Sequence, residues 1–183
     1  MGREIRRVIA NWEHPKRDRG GYQPMFDRVA SERFIEWLKE FEDFKRDDLE
    51  KSAKEYGYDI NDPYSAYCDW NGEPPDPHYY RPSWDESEAT WWQVYETVSE
   101  GTPVTPPFET QDELIDYLVE NGDYWDQMRR NEKRGHFMST SSDPWSREMA
   151  EKFVKGPGWA PSAVIVDGVV KSGVEALSLT LNQ

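Results

Sequence analysis

Apolar residues recur at three- and four-residue spacing at Phe34, Trp37, Leu38, Phe41 and Phe44, which puts them on one face of a helix. Ser31 is placed to cap it, so the pattern predicts a helix over about 32–55, closed by Gly57. Beyond Phe44 only Leu49 and Ala53 interrupt a run of mixed charge, and that half is expected to extend into solvent. Residues 58–87 contain Pro63, Pro74, Pro75, Pro77 and Pro82 with little periodicity; they read as a long wrapped segment pinned by Tyr and Trp side chains. Over 87–99, Trp91, Val94, Tyr95 and Val98 share a helical face, which predicts a short helix that Pro103, Pro106 and Pro107 stop from continuing.

Thr110 and Glu113 have the spacing of a capping box, followed by Leu114, Ile115, Leu118 and Val119 on the apolar face of a short helix ending near Gly122. Residues 123–134 predict a further helical stretch. Asp143 as N-cap with Pro144 at the first helical position predicts a helix to Val154 that buries Trp145, Met149 and Phe153. Near the N-terminus, residues 5–10 read as a strand, followed by turn signals at Pro15, Gly20, Gly21 and Pro24. Two short β-favouring runs, 163–166 and 169–170, flank Asp167-Gly168, a two-residue hairpin signal. The expected fold is α+β: one helix-dominated domain over 1–183 with a small antiparallel sheet that includes the C-terminal hairpin.

Charge changes this picture more than composition does. The chain of 183 residues has a formal charge of −14, but residues 55–128 hold 18 acids against a single base, Arg81, while both flanks are close to neutral. The same block holds 15 of the 26 aromatics and 8 of the 13 prolines. An acidic disordered tail is poor in rings because it builds no core, so this block reads as a folded, strongly negative surface. Such a surface repels nucleic acid and anionic membranes and attracts basic partners. A single cysteine, Cys68, rules out an intrachain disulfide and suits a reducing compartment. No apolar run resembles a signal peptide or approaches the ~20 residues of a membrane span.

No motif organises the carboxylates for chemistry. His14, His78 and His136 are isolated, and no zinc, EF-hand, phosphate-loop or nucleophile-elbow pattern occurs, so no metal or cofactor is expected. Paired acids beside tryptophans also suit sugar chemistry, but nothing selects one pair, such as Asp85 and Glu88, over the rest.

Two resemblances add expectations. Residues 135–144, with Ser139, Thr140 and Ser141 ahead of a helix carrying Ala150 and Phe153, resemble the Ser-Thr-Ser strand of arginine-type ADP-ribosyltransferases. Those enzymes also need a downstream Glu-x-Glu or Gln-x-Glu pair to engage the ribose of NAD. Here the acids that follow the helix are Asp167 and Glu175, which do not form it, so the serines read better as a turn and helix entry. More widely, Asn11-Trp12-Glu13-His14-Pro15-Lys16, Tyr22 to Asp27, Tyr95 to Pro103 with Pro107 to Thr110, and Ala160 to Ala163 with Ser172 to Ala176 are similar to a family of small tailed-bacteriophage proteins without an assigned activity. That likeness implies an accessory role in the host bacterial cytoplasm.

Together these readings predict a phage accessory protein that binds and inhibits a host protein, a counter-defence inhibitor whose acidic face competes, as a nucleic-acid mimic, for a basic surface. The expected partner-binding residues are Asp85, Glu86, Glu88, Asp112, Glu113, Asp116 and Glu120, with Trp84 and Trp92 as aromatic anchors. The alternatives are an ADP-ribosyltransferase-like enzyme and a carbohydrate-active or carbohydrate-binding protein.

Overall fold

A computed structural model describes residues 2–97, 101–132 and 143–177. The chain is α+β and helix-dominated, and it divides into two compact units. One is contiguous, Met25–Ser83; the other is assembled from Met1–Pro24 and Trp84–Gln183.

In the contiguous unit, β2 (Phe26–Val29) pairs in parallel with β3 (Tyr80–Arg81), which sets its entry and exit side by side. Between them lie α1 (Ala30–Asp47), α2 (Leu49–Tyr56) and α3 (Pro63–Asn71). The core is aromatic: Trp37 and Phe44, two turns apart on α1, each pack 5.2 Å from the ring of Tyr67, which is 0 % exposed. The apolar face of α1 is narrower than its periodicity predicts, because Phe34 and Leu38 at its margins are each 42 % exposed.

Three expectations fail here. Ser31 is not the cap; Val29 holds that position and makes no side-chain cap bond. The helix does not run on to 55, because Asp48 (φ −121°, ψ −19°) leaves helical geometry and a second helix begins that buries Leu49 and Ser52 in place of extending into solvent. Gly57 does close it, in the left-handed region at φ 77° that favours glycine. Nor are residues 58–87 simply a wrapped loop, since α3 starts where Asp62 accepts the Ser65 N–H at 3.1 Å with Pro63 at the first position. Tyr67 and Ala66 then anchor α3 to the core.

The discontinuous unit centres on an antiparallel sheet of order β4-β1-β5, formed by β1 (Arg3–Val8), β4 (Trp91–Glu96) and β5 (Trp159–Ala160). The expected helix over 87–99 is thus a strand. Its register runs from Arg3 opposite Glu96 to Val8 opposite Trp91, and on its other edge Val104 and Phe108 donate back to Val94 and Trp92 at 2.8 and 2.9 Å. A strand bonded on both edges and covered on both faces shows no polar alternation, so its apolar run has no period of two to read.

Val94 joins Leu114, Ile115 and Leu118 of α4 (Gln111–Asn121) and Ala150, Phe153 and Val154 of α6 (Arg147–Val154) in one core. The capping box of α4 forms as predicted, with Thr110 Oγ1 accepting from Glu113 N at 3.2 Å and Glu113 Oε2 accepting from Thr110 N at 3.0 Å. α5 (Tyr124–Glu132) follows. α6 starts later than predicted: Ser146, not Asp143, is its N-cap. Trp145 explains the delay, being buried with its backbone N–H on Leu118 O (3.1 Å) and its Nε1 on Asp126 Oδ2 (2.9 Å), a tertiary anchor that keeps it out of the first helical turn. The C-terminal hairpin joins β6 (Val164–Val166) and β7 (Val169–Lys171) through Asp167 and Gly168, both at positive φ (51° and 77°), as a type I′ turn requires. α7 (Gly173–Leu177) closes the described chain.

Candidate functional site

Among the described residues, three acids of the 55–128 block are buried, and each is consumed by the fold of the discontinuous unit. Glu96 accepts from Trp125 Nε1 (2.8 Å) and Thr102 Oγ1 (2.6 Å). Asp123 holds Arg3 Nε at 2.6 Å and caps α5 by accepting from the backbone N–H of Trp125 and Asp126. Asp126 accepts from Asp123 N, Trp145 Nε1 and the Arg129 guanidinium. Burial first, and then the neighbouring Asp123, push the Asp126 carboxyl above the usual carboxylate range.

The other described acids of the block are exposed. Asp85, Glu86 and Glu88 occupy one turn ahead of β4, where Asp85 Oδ1 accepts from Ser87 N and Oγ (2.8 and 2.7 Å) and Glu88 Oε2 accepts from Asp85 N (3.2 Å). Bonding to Ser87 holds the Asp85 carboxyl below its ordinary range. The bridge between Trp92 and Phe108 brings the start of α4, with Glu109, Asp112 and Glu113, to the same end of β4 as this turn. Asp112, Glu113, Asp116 and Glu120 share the outer face of α4, opposite the buried Leu114, Ile115 and Leu118. They are not equivalent. Asp112 is paired with Lys155 (2.9 Å), Asp116 with Arg147 (2.7 Å), and Glu113 holds the capping box, whereas Glu120, at the far end of the helix, makes no ion pair among the described residues.

The expected aromatic anchors are not free. Trp84 is half-buried, edge-on to Trp12 with ring centroids 5.0 Å apart, and Trp92 is half-buried against the core with the Arg7 guanidinium 3.9 Å above its ring. Ser139, Thr140 and Ser141 lie outside the described residues.

A cleft of about 720 Å³ in the same unit has no counterpart in the sequence reading. Its walls are Trp12, His14 and Tyr22 from the segment after β1, Pro103 to Pro107, and Tyr117, Tyr124 and Gln127 from α4 and α5. Buried Tyr95 braces this wall from behind: its hydroxyl accepts from Trp12 Nε1 (3.2 Å) and lies 3.1 Å from His14 Nδ1 and 3.0 Å from Gln93 Oε1, while Gln93 Nε2 donates to Thr105 O (2.8 Å). Burial, and next to it the Arg6 charge, outweigh the bond to Gln23 and lower the His14 pKa. A second hollow of about 440 Å³ shares Lys16, Tyr22, Pro103, Val104 and Tyr124 with the first and is further lined by Gly20, Gly21, Thr102 and Trp125. The only sequence signal for this site was the cluster Trp12 to Lys16 with Tyr22; Tyr117 and Tyr124 belong to no motif and meet the cleft through the fold.

Among the described residues no group of three or more His, Cys, Asp or Glu is arranged to hold a metal, and no helix is long and apolar enough to cross a membrane. No protein-family model matches the chain, and no curated protein or solved structure matches it.

Proposed function

We propose that this is a binding protein that docks through exposed carboxylates on a basic surface of another protein, and that in the phage setting implied by its sequence it inhibits a host protein by competing there with nucleic acid. One observation carries the reading. In the 55–128 block, Glu55, Asp59, Asp62, Asp69 and Glu73 of one unit and Asp85, Glu86, Glu88, Glu109, Glu113 and Glu120 of the other are all exposed with no cation at ion-pair distance among the described residues. Ordinary surfaces intersperse both signs, and uncompensated like charge costs stability that a basic partner offsets.

The turn at Asp85, Glu86 and Glu88 with Glu109 is the centre of this surface in the discontinuous unit, because Asp112 and Asp116 already have cationic partners. The test is cross-linking of the purified chain in bacterial lysate, followed by reconstitution with the captured protein and competition by duplex DNA. A basic partner that binds at low salt, releases at high salt and is displaced by DNA supports the reading. Partners that bind independently of salt and of DNA overturn it.

A further inference from the structure

We propose that the aromatic cleft of the discontinuous unit binds an uncharged oligosaccharide. The proposal stands apart from the acidic surface, which neither needs the cleft nor shares its lining.

Charge selects the ligand class first. In a chain of net −14 the cleft wall carries one carboxylate, Glu13, and one ammonium, Lys16, with a histidine, His14, whose pKa burial lowers. A metal-like cation calls for several carboxylates and a phosphate for arginines, and the wall supplies neither; an organic ammonium, which rings alone can cage, would meet the like charge of Lys16, whose ammonium already lies 5.8 Å from the Tyr22 ring centroid. Room comes next: the 720 Å³ cleft and the 440 Å³ hollow lie side by side, sharing Tyr22, Pro103 and Tyr124 as walls, and together they offer space for more than one small ring.

Its surface alternates ring faces with hydroxyls. Sugar rings have apolar C–H faces and an edge of hydroxyls that both donate and accept, so they match walls of Trp12, Tyr22, Tyr117 and Tyr124. Gln127 donates its amide to Tyr117 Oη (3.0 Å) and Gly122 O (3.3 Å), so the Tyr117 hydroxyl proton remains to donate and the Gln127 carbonyl remains to accept.

Two other uncharged occupants fit less well. A polyproline segment presents a row of carbonyl acceptors, but Trp12 Nε1 is engaged by Tyr95 and Trp125 Nε1 by Glu96, so the indole donors are spent and the Tyr117 hydroxyl is left to meet that row. A nucleobase edge is read by an amide that both donates and accepts, but the Gln93 amide is engaged by Tyr95 and Thr105, and Gln127 has already given its Nε2 to Tyr117 and Gly122. The bonds of Tyr95 to Trp12, His14 and Gln93 also set the walls before any ligand arrives, which lowers the ordering cost of binding. With one carboxylate in the wall, the two-acid geometry of glycoside hydrolysis is missing, so the assignment is to binding without cleavage.

The experiment presents the full chain to an array of neutral glucan, mannan, galactan and chitin oligomers beside nucleosides and proline-rich peptides, then titrates the best ligand by tryptophan fluorescence. The expected result is salt-insensitive retention of a neutral oligomer, tighter than its monosaccharide. Tyr22→Ala and Tyr124→Ala, at positions exposed enough (42 % and 48 %) to leave the fold intact, are each expected to weaken it by about tenfold or more. Retention of no neutral oligomer, preference for nucleosides or proline-rich peptides, or affinity unchanged in both variants overturns the proposal.

Discussion

His14 Nε2 lies 2.6 Å from the carbonyl oxygen of Gln23. A carbonyl only accepts, so Nε2 carries a proton, and in the neutral ring Nδ1 must accept from the Tyr95 hydroxyl. The same hydroxyl faces Gln93 Oε1, so its single proton serves two acceptors while His14 is neutral. Protonating His14 would satisfy both, yet burial and Arg6 oppose the charge and hold the pKa down.

The sign of the pH dependence follows. A histidine whose folded pKa lies below its unfolded value of about 6.5 leaves the unfolded chain binding more protons, so its contribution is complete above that value and declines as pH falls through it. Denaturation midpoints compared between the native chain and His14→Gln across this range should converge toward low pH. A difference that is constant or widens would contradict the assignment.

Arg3 and Asp123 form an ion pair 2.6 Å apart with side chains 6 % and 2 % exposed. Removing the carboxylate of such a pair takes a charged partner from a buried guanidinium, so Asp123→Ala should cost about 3–5 kcal/mol in urea denaturation, with the α5 cap lost as well. Asp116→Ala, which breaks the exposed pair with Arg147, should leave the midpoint essentially unchanged.

At Thr110, substitution by Ala removes the acceptor for Glu113 N and should destabilise by about 1 kcal/mol, whereas Thr110→Ser keeps the hydroxyl and most of the stability. Equal losses in the two variants by thermal or chemical denaturation would show that the cap contributes nothing.

For the acidic surface, combined Glu86→Gln, Glu88→Gln and Glu109→Gln should weaken association with the basic partner and flatten its salt dependence. Asp112→Asn with Asp116→Asn should do less, because Lys155 and Arg147 already neutralise those two carboxylates. Binding isotherms at several salt concentrations decide between them.

Local signals in the sequence succeeded where one short segment determines the outcome, as at the Thr110 capping box, the Asp167-Gly168 turn and Gly57. They failed where a distant contact decides. The pairing of Asp with Pro occurs at 62–63, 76–77 and 143–144 with the same local meaning, but the first opens an α-helix, the second a single 3-10 turn over Pro77–Tyr79, and the third no helix at that position. After Asp62 the following Ala66 and Tyr67 are buried by helix formation; after Asp143, Trp145 is held by Leu118 and Asp126. The strand at Trp91–Glu96 was hidden for a similar reason, since its partners lie in 3–8 and 102–108. The number and one-sided sign of the acids were legible throughout, whereas their inequality on α4 was not, because it depends on cations of α6. The cleft was invisible because its rings come from four separated segments.

The insertion of a contiguous unit between the two parts of a discontinuous one imposes an order on biosynthesis. As the chain leaves the ribosome, Met25–Ser83 has every member of its own aromatic core once its last residue emerges, so its three helices can condense before the rest is made. β1, made first, has no partner until residues 91–96 appear, and its other edge stays open until Trp159 and Ala160 do. Of the described strands, the earliest made therefore waits for the most distant partner, and the slow, sequence-distant step of folding belongs to the unit that carries the cleft.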